Sequence, residues 1–332
     1  MSGLAGSQAK LSMTFAEMQA FYGGTDTGNV IELMNQTNDI LSDVPWIEAN
    51  GTDGHKTIIR TGLPAVYWRR AYRGTPVSKS EKTQVKELCG ILEARSEVDE
   101  IILNCYEDKK NAFRMSESSA FMESMRQKMA NTLFYGDSNK SPEEFNGIGM
   151  RYPAKDAPNV IDAGGTGDTL TSIWLVSWGD NTVHGIYPKG SKSGLEHEDL
   201  GRLTVADEKG NRYEAVVDRY RWMCGLAVRD WRAVVRIANI DTEKLGLGVG
   251  EDGFIDFKKL LVKAKNLMPE HMRGKAVWYC NSEVMTALEL QSSDPKGIHL
   301  TYGQYFNSES VAAVFGRPVR QCDAILSTEK AI

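Results

Sequence analysis

Several things are scarce in this 332-residue chain, and each scarcity closes a class of function. The five cysteines, Cys89, Cys105, Cys224, Cys280 and Cys322, form no CxxC pair and are odd in number. That spacing argues against a zinc ribbon or a disulfide framework and predicts reduced, packed thiols. No apolar run approaches the ~18–20 residues of a membrane span, so no membrane partner is expected. The start, MSGLAGSQAKLSMTF, lacks the charged opening and long apolar stretch of a secretory signal, so synthesis in the cytosol is the expectation. Basic excess is missing as well: 39 Lys and Arg against 44 Asp and Glu give a net charge of −5, unlike a dedicated nucleic-acid binder. No repeat of 20–50 residues signals a solenoid. What remains is 41% hydrophobic and 25% charged, enough for one large core or two medium ones.

Catalytic signatures are equally thin. Gly248, Gly250 and Gly253 spell GxGxxG, but the strand that should run into the first glycine is replaced by DTEKLGL. A soluble nucleotide-binding α+β enzyme using residues 248–253 is therefore the alternative reading, and a plain loop the simpler one. In GIYPKGSKSG, residues 185–194, Ser191 stands where a phosphate loop needs lysine. EHEDLG, residues 196–201, places His197, Glu198 and Asp199 together but ends on Gly201 where a zinc helix needs a second histidine, so solvated charges are expected. His55, His184, His271 and His299 show no ligand spacing, and no GxSxG elbow appears. No catalytic, cofactor-binding or metal-ligating residue is assigned, and no cofactor is expected.

The pattern of elements says more. Residues 1–45 read as an arm with short helices: Thr14 and Glu17 have capping-box spacing, and Val30, Leu33 and Met34 have helical spacing before Pro45. Residues 46–73 turn β-branched and aromatic. Gly62 and Pro64 divide them into two expected strands, the second over 66–73. There Val66, Trp68, Arg70 and Tyr72 would share one face, with Tyr67, Arg69 and Arg73 on the other. Neither face is purely apolar, which suits a projecting hairpin that covers a neighbour. Its Trp, Tyr and Arg could stack single-stranded bases, yet these are also the residue types that anchor protein interfaces, and the acidic chain favours the latter.

Val85, Leu88 and Leu92 predict a helix after the hairpin. A stronger one follows, with Ser116 as N-cap, a stripe of Phe121, Met122, Met125, Met129 and Leu133, and Gly136 as its stop. Residues 170–236 are strand-rich. Asp256 then opens a helix with Leu260, Leu261, Ala264 and Leu267 inward. KAVWYCN is a buried strand, SEVMTALELQ a helix, and RPVRQCDAILST a last strand. Helices and strands without a βαβ rhythm predict an α+β fold.

The wording of the chain now matters. LFYGDSNKSPEEFNGIGMRYP, SIWLVSWGDNTVHGIYPKGS and GRPVRQCDAILSTE resemble capsid proteins of a group of short-tailed phages, and GLPAVYWRRAYRGTPVSKSEKTQV is similar to their extended loop. The order of parts resembles the Hong Kong 97-like major capsid proteins of tailed double-stranded DNA phages, over roughly residues 15–330. The resemblance implies an N-terminal arm at 1–45 and an extended loop at 46–79. It implies a peripheral domain at 80–164 with a spine helix at 116–135, an axial domain at 165–315, and a C-terminal strand at 316–332 returning to the peripheral domain. It also implies a non-enzymatic subunit that assembles with itself into hexamers and pentamers of an icosahedral shell around double-stranded DNA. The implied place is the virion capsid, assembled in the host bacterial cytoplasm.

No stretch of about a hundred residues precedes the arm to act as a built-in scaffold, so a separate scaffolding protein is expected, with a portal, a cementing or decoration protein, and non-specific contact to DNA. On this reading Tyr67, Trp68, Arg69, Arg70, Tyr72 and Arg73 are the candidate contacts between subunits.

Overall fold

The computed structural model describes residues 36–105, 110–207, 209–248, 251, 253–292, 301–305 and 309–332. The helical readings at Thr14 to Glu17 and Val30 to Met34 lie outside the described residues. In chain order the elements begin with helix α1 (Ile40–Asp43), then strands β1 (Trp46–Glu48), β2 (Gly54–Gly62) and β3 (Glu81–Asp99). Helices α2 (Glu100–Cys105) and α3 (Lys110–Tyr135) follow, then β4 (Val160–Asp162), β5 (Leu170–Ser177), β6 (Val183–Tyr187), β7 (Glu196–Ala206), β8 (Arg212–Val228) and β9 (Val234–Asp241). The last stretch holds α4 (Phe257–Leu267), α5 (Glu270–Arg273), β10 (Ala276–Cys280), α6 (Ser282–Ser292), β11 (Thr301–Tyr305), β12 (Glu309–Val314) and β13 (Arg317–Gln321). The described residues divide into two compact units: 92–125 with 195–222, and 36–91 with 126–194 and 223–332.

In the larger unit a seven-stranded sheet runs β11-β12-β13-β10-β5-β9-β4. Its centre follows from composition. LTSIWLVS in β5 and VVRIANID in β9 are continuous runs rich in β-branched residues, and every position of both is buried, as expected of strands covered on two faces. One charge interrupts them. Arg236 therefore needs a partner, and finds Glu329: Nη2 donates to Oε2 at 2.9 Å, Nη1 to the Tyr152 carbonyl at 3.0 Å and Nε to Ser172 Oγ at 3.1 Å. The guanidinium also lies 4.9 Å from the centre of the Trp174 ring. Tyr135 and Ser172 donate their hydroxyls to the same carboxylate.

Helix α4 keeps the predicted cap, the Asp256 carboxylate accepting from the Lys259 N–H at 3.0 Å. Phe257, Leu261 and Ala264 are buried, whereas Leu267 faces solvent instead of the core.

The spine helix differs at its start. Ser116 lies inside α3 and caps nothing, because the helix already runs from Lys110. Phe113, Met125, Met129, Ala130, Leu133 and Phe134 are its buried apolar residues, and Met122 is exposed. Its end is as expected, for a close-packing reason. Gly136 donates to the Thr132 carbonyl at 2.9 Å and Ile148 to the Leu133 carbonyl at 2.8 Å, so the polar loop folds back and satisfies the last turn. A Cβ on Gly136 would sit 2.4 Å from the Phe145 carbonyl oxygen, and one on Gly147 2.5 Å from that of Thr132. This loop is a helix stop, not a ligand cradle.

Two elements contradict the sequence reading. Residues 81–99 form a 19-residue strand, β3, where Val85, Leu88 and Leu92 predicted a helix. The real signal is an alternation: Val85, Glu87 and Cys89 turn inward, then Ala94, Ser96 and Val98, with the phase changing near Gly90. EHEDLG opens another strand, β7, paired antiparallel with β8 in the smaller unit. Glu196 faces Arg221 and Glu198 faces Arg219 in register, and each pair bonds across the ladder. Charges read as merely solvated thus select one strand register.

Candidate functional site

Strands β2 and β3 make an antiparallel hairpin, with Gly54 opposite Leu88 and Gly62 opposite Glu81. Its root is fixed by buried polar pairs. Glu87 takes a two-pronged bond from Arg151, at 2.8 and 2.7 Å, and Arg151 also donates to the Leu226 carbonyl. His55 lies opposite Glu87 in the register. Its Nδ1 faces the Asn50 N–H at 3.3 Å, and its Nε2 faces Arg229 Nη2 at 2.8 Å. The His184 ring stands edge-on, 5.9 Å away and fully buried, with neither nitrogen hydrogen-bonded among the described residues. Burial first, then Arg229 and His55, push the His184 pKa down to about 4, and burial lowers that of His55 as well. The root rejects protons.

The tip is the opposite. Residues 63–80 form no strand, which corrects the expected strand over 66–73: among the described residues no other segment offers that stretch a ladder, and it closes on itself. Arg73 N–H donates to the Arg70 carbonyl at 3.3 Å, Arg69 Nη1 to the Arg73 carbonyl at 3.2 Å, and Ser78 Oγ to the Ala65 carbonyl at 2.6 Å. Tyr72 takes a left-handed backbone, φ 62°, uncommon for a bulky residue. The six candidates Tyr67, Trp68, Arg69, Arg70, Tyr72 and Arg73 all lie on this tip and are exposed. Trp68 and Tyr72 each show 104% of their reference surface and Val77 101%, so none of the described residues covers them.

The competing chemistry finds no support in geometry. The Gly248 N–H, which a phosphate would use, donates to Glu251 Oε2 at 2.9 Å, and Asp256 occupies the start of α4. Val249, Gly250 and Asp252 lie outside the described residues. In the 185–194 stretch the Gly190 N–H is taken by Glu48 at 2.9 Å. Among the described residues no group of three or more His, Cys, Asp or Glu could hold a metal ion. Burial pushes the thiols up, to about 11 for Cys89 and about 12 for Cys280 and Cys322, so they stay protonated and unreactive.

The family model described as major capsid protein GP7 matches residues 23–332. The chain belongs to the GP7 major capsid protein family. A chain of the near-atomic cryo-EM structure of bacteriophage epsilon15 is 29% identical, with a TM-score of 0.69 over 98% of this chain and 99% of that one. Looser likenesses include a chain of the SrpI encapsulin complex of Synechococcus elongatus PCC 7942, at 12% identity and TM-score 0.45, over 69% of this chain and 97% of that one. Another is a chain of Microbacterium phage Oxtober96, at 10% identity and TM-score 0.47, over 69% and 99%. No curated protein sequence matches the chain.

The fold is the Hong Kong 97-like capsid fold, and the role is structural. This capsid protein assembles with itself into the icosahedral shell of a bacteriophage, and its place is the virion capsid. The nucleotide-binding alternative gains nothing from either match. What the sequence reading missed is the root: Glu87 and Arg151 are 64 residues apart, and His55 and Arg229 are 174 apart. A search for ligand spacing passes over histidines that hold a strand pair.

Proposed function

We propose that residues 46–79, with β2 paired on β3 at the base, are the extended loop by which each capsid subunit lies on its neighbour, with Tyr67, Trp68, Arg69, Arg70, Tyr72 and Arg73 as its contacts. The observation that carries this is the complete exposure of Trp68, Tyr72 and Val77 on a tip whose root is rigidly paired. Large apolar side chains held out by a fixed stalk gain their cover from another chain. A contact between unlike surfaces repeats head to tail and closes into rings, here hexamers and pentamers of the shell.

The arm then comprises 1–45, the extended loop 46–79, the peripheral domain 80–164 with α3 as its spine, the axial domain 165–315, and the returning strand 316–332. Scaffolding, portal and cementing proteins are the further partners, DNA is touched non-specifically, and assembly takes place in the host bacterial cytoplasm. The subunit acts by shape and catalyses nothing. Electron microscopy of the expressed chain tests the central point. Wild type gives shells or rings, and a chain with 64–79 replaced by a short Gly-Ser turn gives folded protein without them. Regular shells at wild-type yield from the shortened chain overturn the proposal.

A further inference from the structure

Residues 54–80 hold six cations, Lys56, Arg60, Arg69, Arg70, Arg73 and Lys79, and not one carboxylate. All six are exposed, and none pairs with a carboxylate among the described residues. Elsewhere several cations have a carboxylate partner, as Lys86 has Asp53, Arg114 has Asp199 and Asp218, Arg221 has Glu196 and Arg232 has Asp230. Residues 54–80, which are β2 and the tip, carry +6 while the whole chain carries −5, so the rest of the chain, β3 included, carries −11. Charge is thus divided between one thin element and everything else.

We infer that this division makes the hairpin a one-way plug for a second copy of the chain. It docks on the acidic body of a neighbour and is refused by a neighbour's hairpin. Two tips meeting face to face would set six cations against six, with apolar side chains between them that exclude water and lengthen the reach of the repulsion. A tip on a body sets six cations against an acidic excess. Only the second arrangement uses unlike surfaces, so polarity of assembly is written in the charge pattern. The inference rests on the reading of the hairpin as a contact between copies, and adds what selects its target.

Sedimentation of the full purified chain tests it, comparing wild type, Arg69→Glu/Arg70→Glu/Arg73→Glu, and Trp68→Ala/Tyr72→Ala. Wild-type self-association weakens about tenfold as salt rises across the range where screening shortens from about 10 to 3 Å. The charge-reversed chain does not associate alone. Mixed one to one with wild type it shortens the oligomers, because its body still accepts a hairpin and its own hairpin cannot be donated. If salt and charge reversal leave association unchanged while Trp68→Ala/Tyr72→Ala abolishes it, the contact stands and its electrostatic direction is overturned. If all three chains associate alike, or none does at any salt, the hairpin contact itself falls, and this inference with it.

Discussion

Two regions of this capsid protein use the same residue types to opposite ends. Strands β5 and β9 carry Trp174, several valines and isoleucines, and Arg236, and expose nothing. The tip at 63–80 carries Trp68, Tyr67, Tyr72, Val66, Val77 and three arginines, and exposes nearly everything. Composition does not separate them; the supply of partners does. Arg236 has Glu329, Ser172 and a tryptophan face within the chain. Arg69, Arg70 and Arg73 have no carboxylate partner among the described residues. Leaving a side chain such as Val77 in water forgoes about 1.5–3 kcal/mol, which a subunit recovers only when another copy supplies the cover. One region is finished by folding, and the other is left for assembly.

The largest way to break the finished region is Arg236→Ala. It strands the Glu329 carboxylate in a buried site with only hydroxyl donors, and removing one partner of such a pair costs about 3–5 kcal/mol. Urea unfolding of the full chain measures it. Arg236→Ala combined with Glu329→Gln recovers part of the loss, because the two residues share one interaction. A loss below about 1 kcal/mol for the single change would show that the sheet closes without this pair.

Much of the finished region was legible beforehand, since its signals are local. Buried runs in β5 and β9, the Asp256 cap of α4 and the glycine stop of α3 each need only neighbouring residues. The errors fall where a distant partner decides. Val85, Leu88 and Leu92 satisfy a helical period, yet β2 fixes β3 as a strand through a pairing invisible in either segment alone. Glu196 and Glu198 have meaning only opposite Arg221 and Arg219. The tip was found by its composition even though its strand was wrongly expected, because Trp, Tyr and Arg on two faces already spoke against a core. Glu329, close to the end of the chain, carries no local pattern that announces burial.

The root of the hairpin lies between these extremes, and pH separates it from both. Besides burial, Arg229 and His55 act against a proton on His184, the Gly179 backbone and Asp180 act weakly in its favour, and Glu87 acts on His55 while Arg151 holds it. An unfolded histidine takes its proton near pH 6.5, while folded His184 refuses it until about 4. Between those values the unfolded chain binds more protons, so stability falls as pH falls. The expected loss across the whole window is on the order of 3 kcal/mol, at about 1.4 kcal/mol per pKa unit. Melting temperature against pH reads it, and His184→Leu flattens the slope across this window. Equal slopes in variant and wild type would place the acid sensitivity elsewhere.

The smallest effect on the folded chain is expected at the tip itself. Trp68→Ala/Tyr72→Ala removes two rings that no described residue covers, so unfolding free energy should stay within about 0.5 kcal/mol of wild type. The same pair of changes in β5 and β10, at Trp174 and Tyr279, would remove rings with no exposed surface and cost several kcal/mol. A small effect at the tip therefore means more than a neutral surface mutation: it shows that the chain's own stability gives no reason for those side chains to be there. A loss of 2 kcal/mol or more in the monomer would instead place Trp68 and Tyr72 against the chain's own surface in solution. The tip would then belong with β5 and β9, among the parts that folding alone completes.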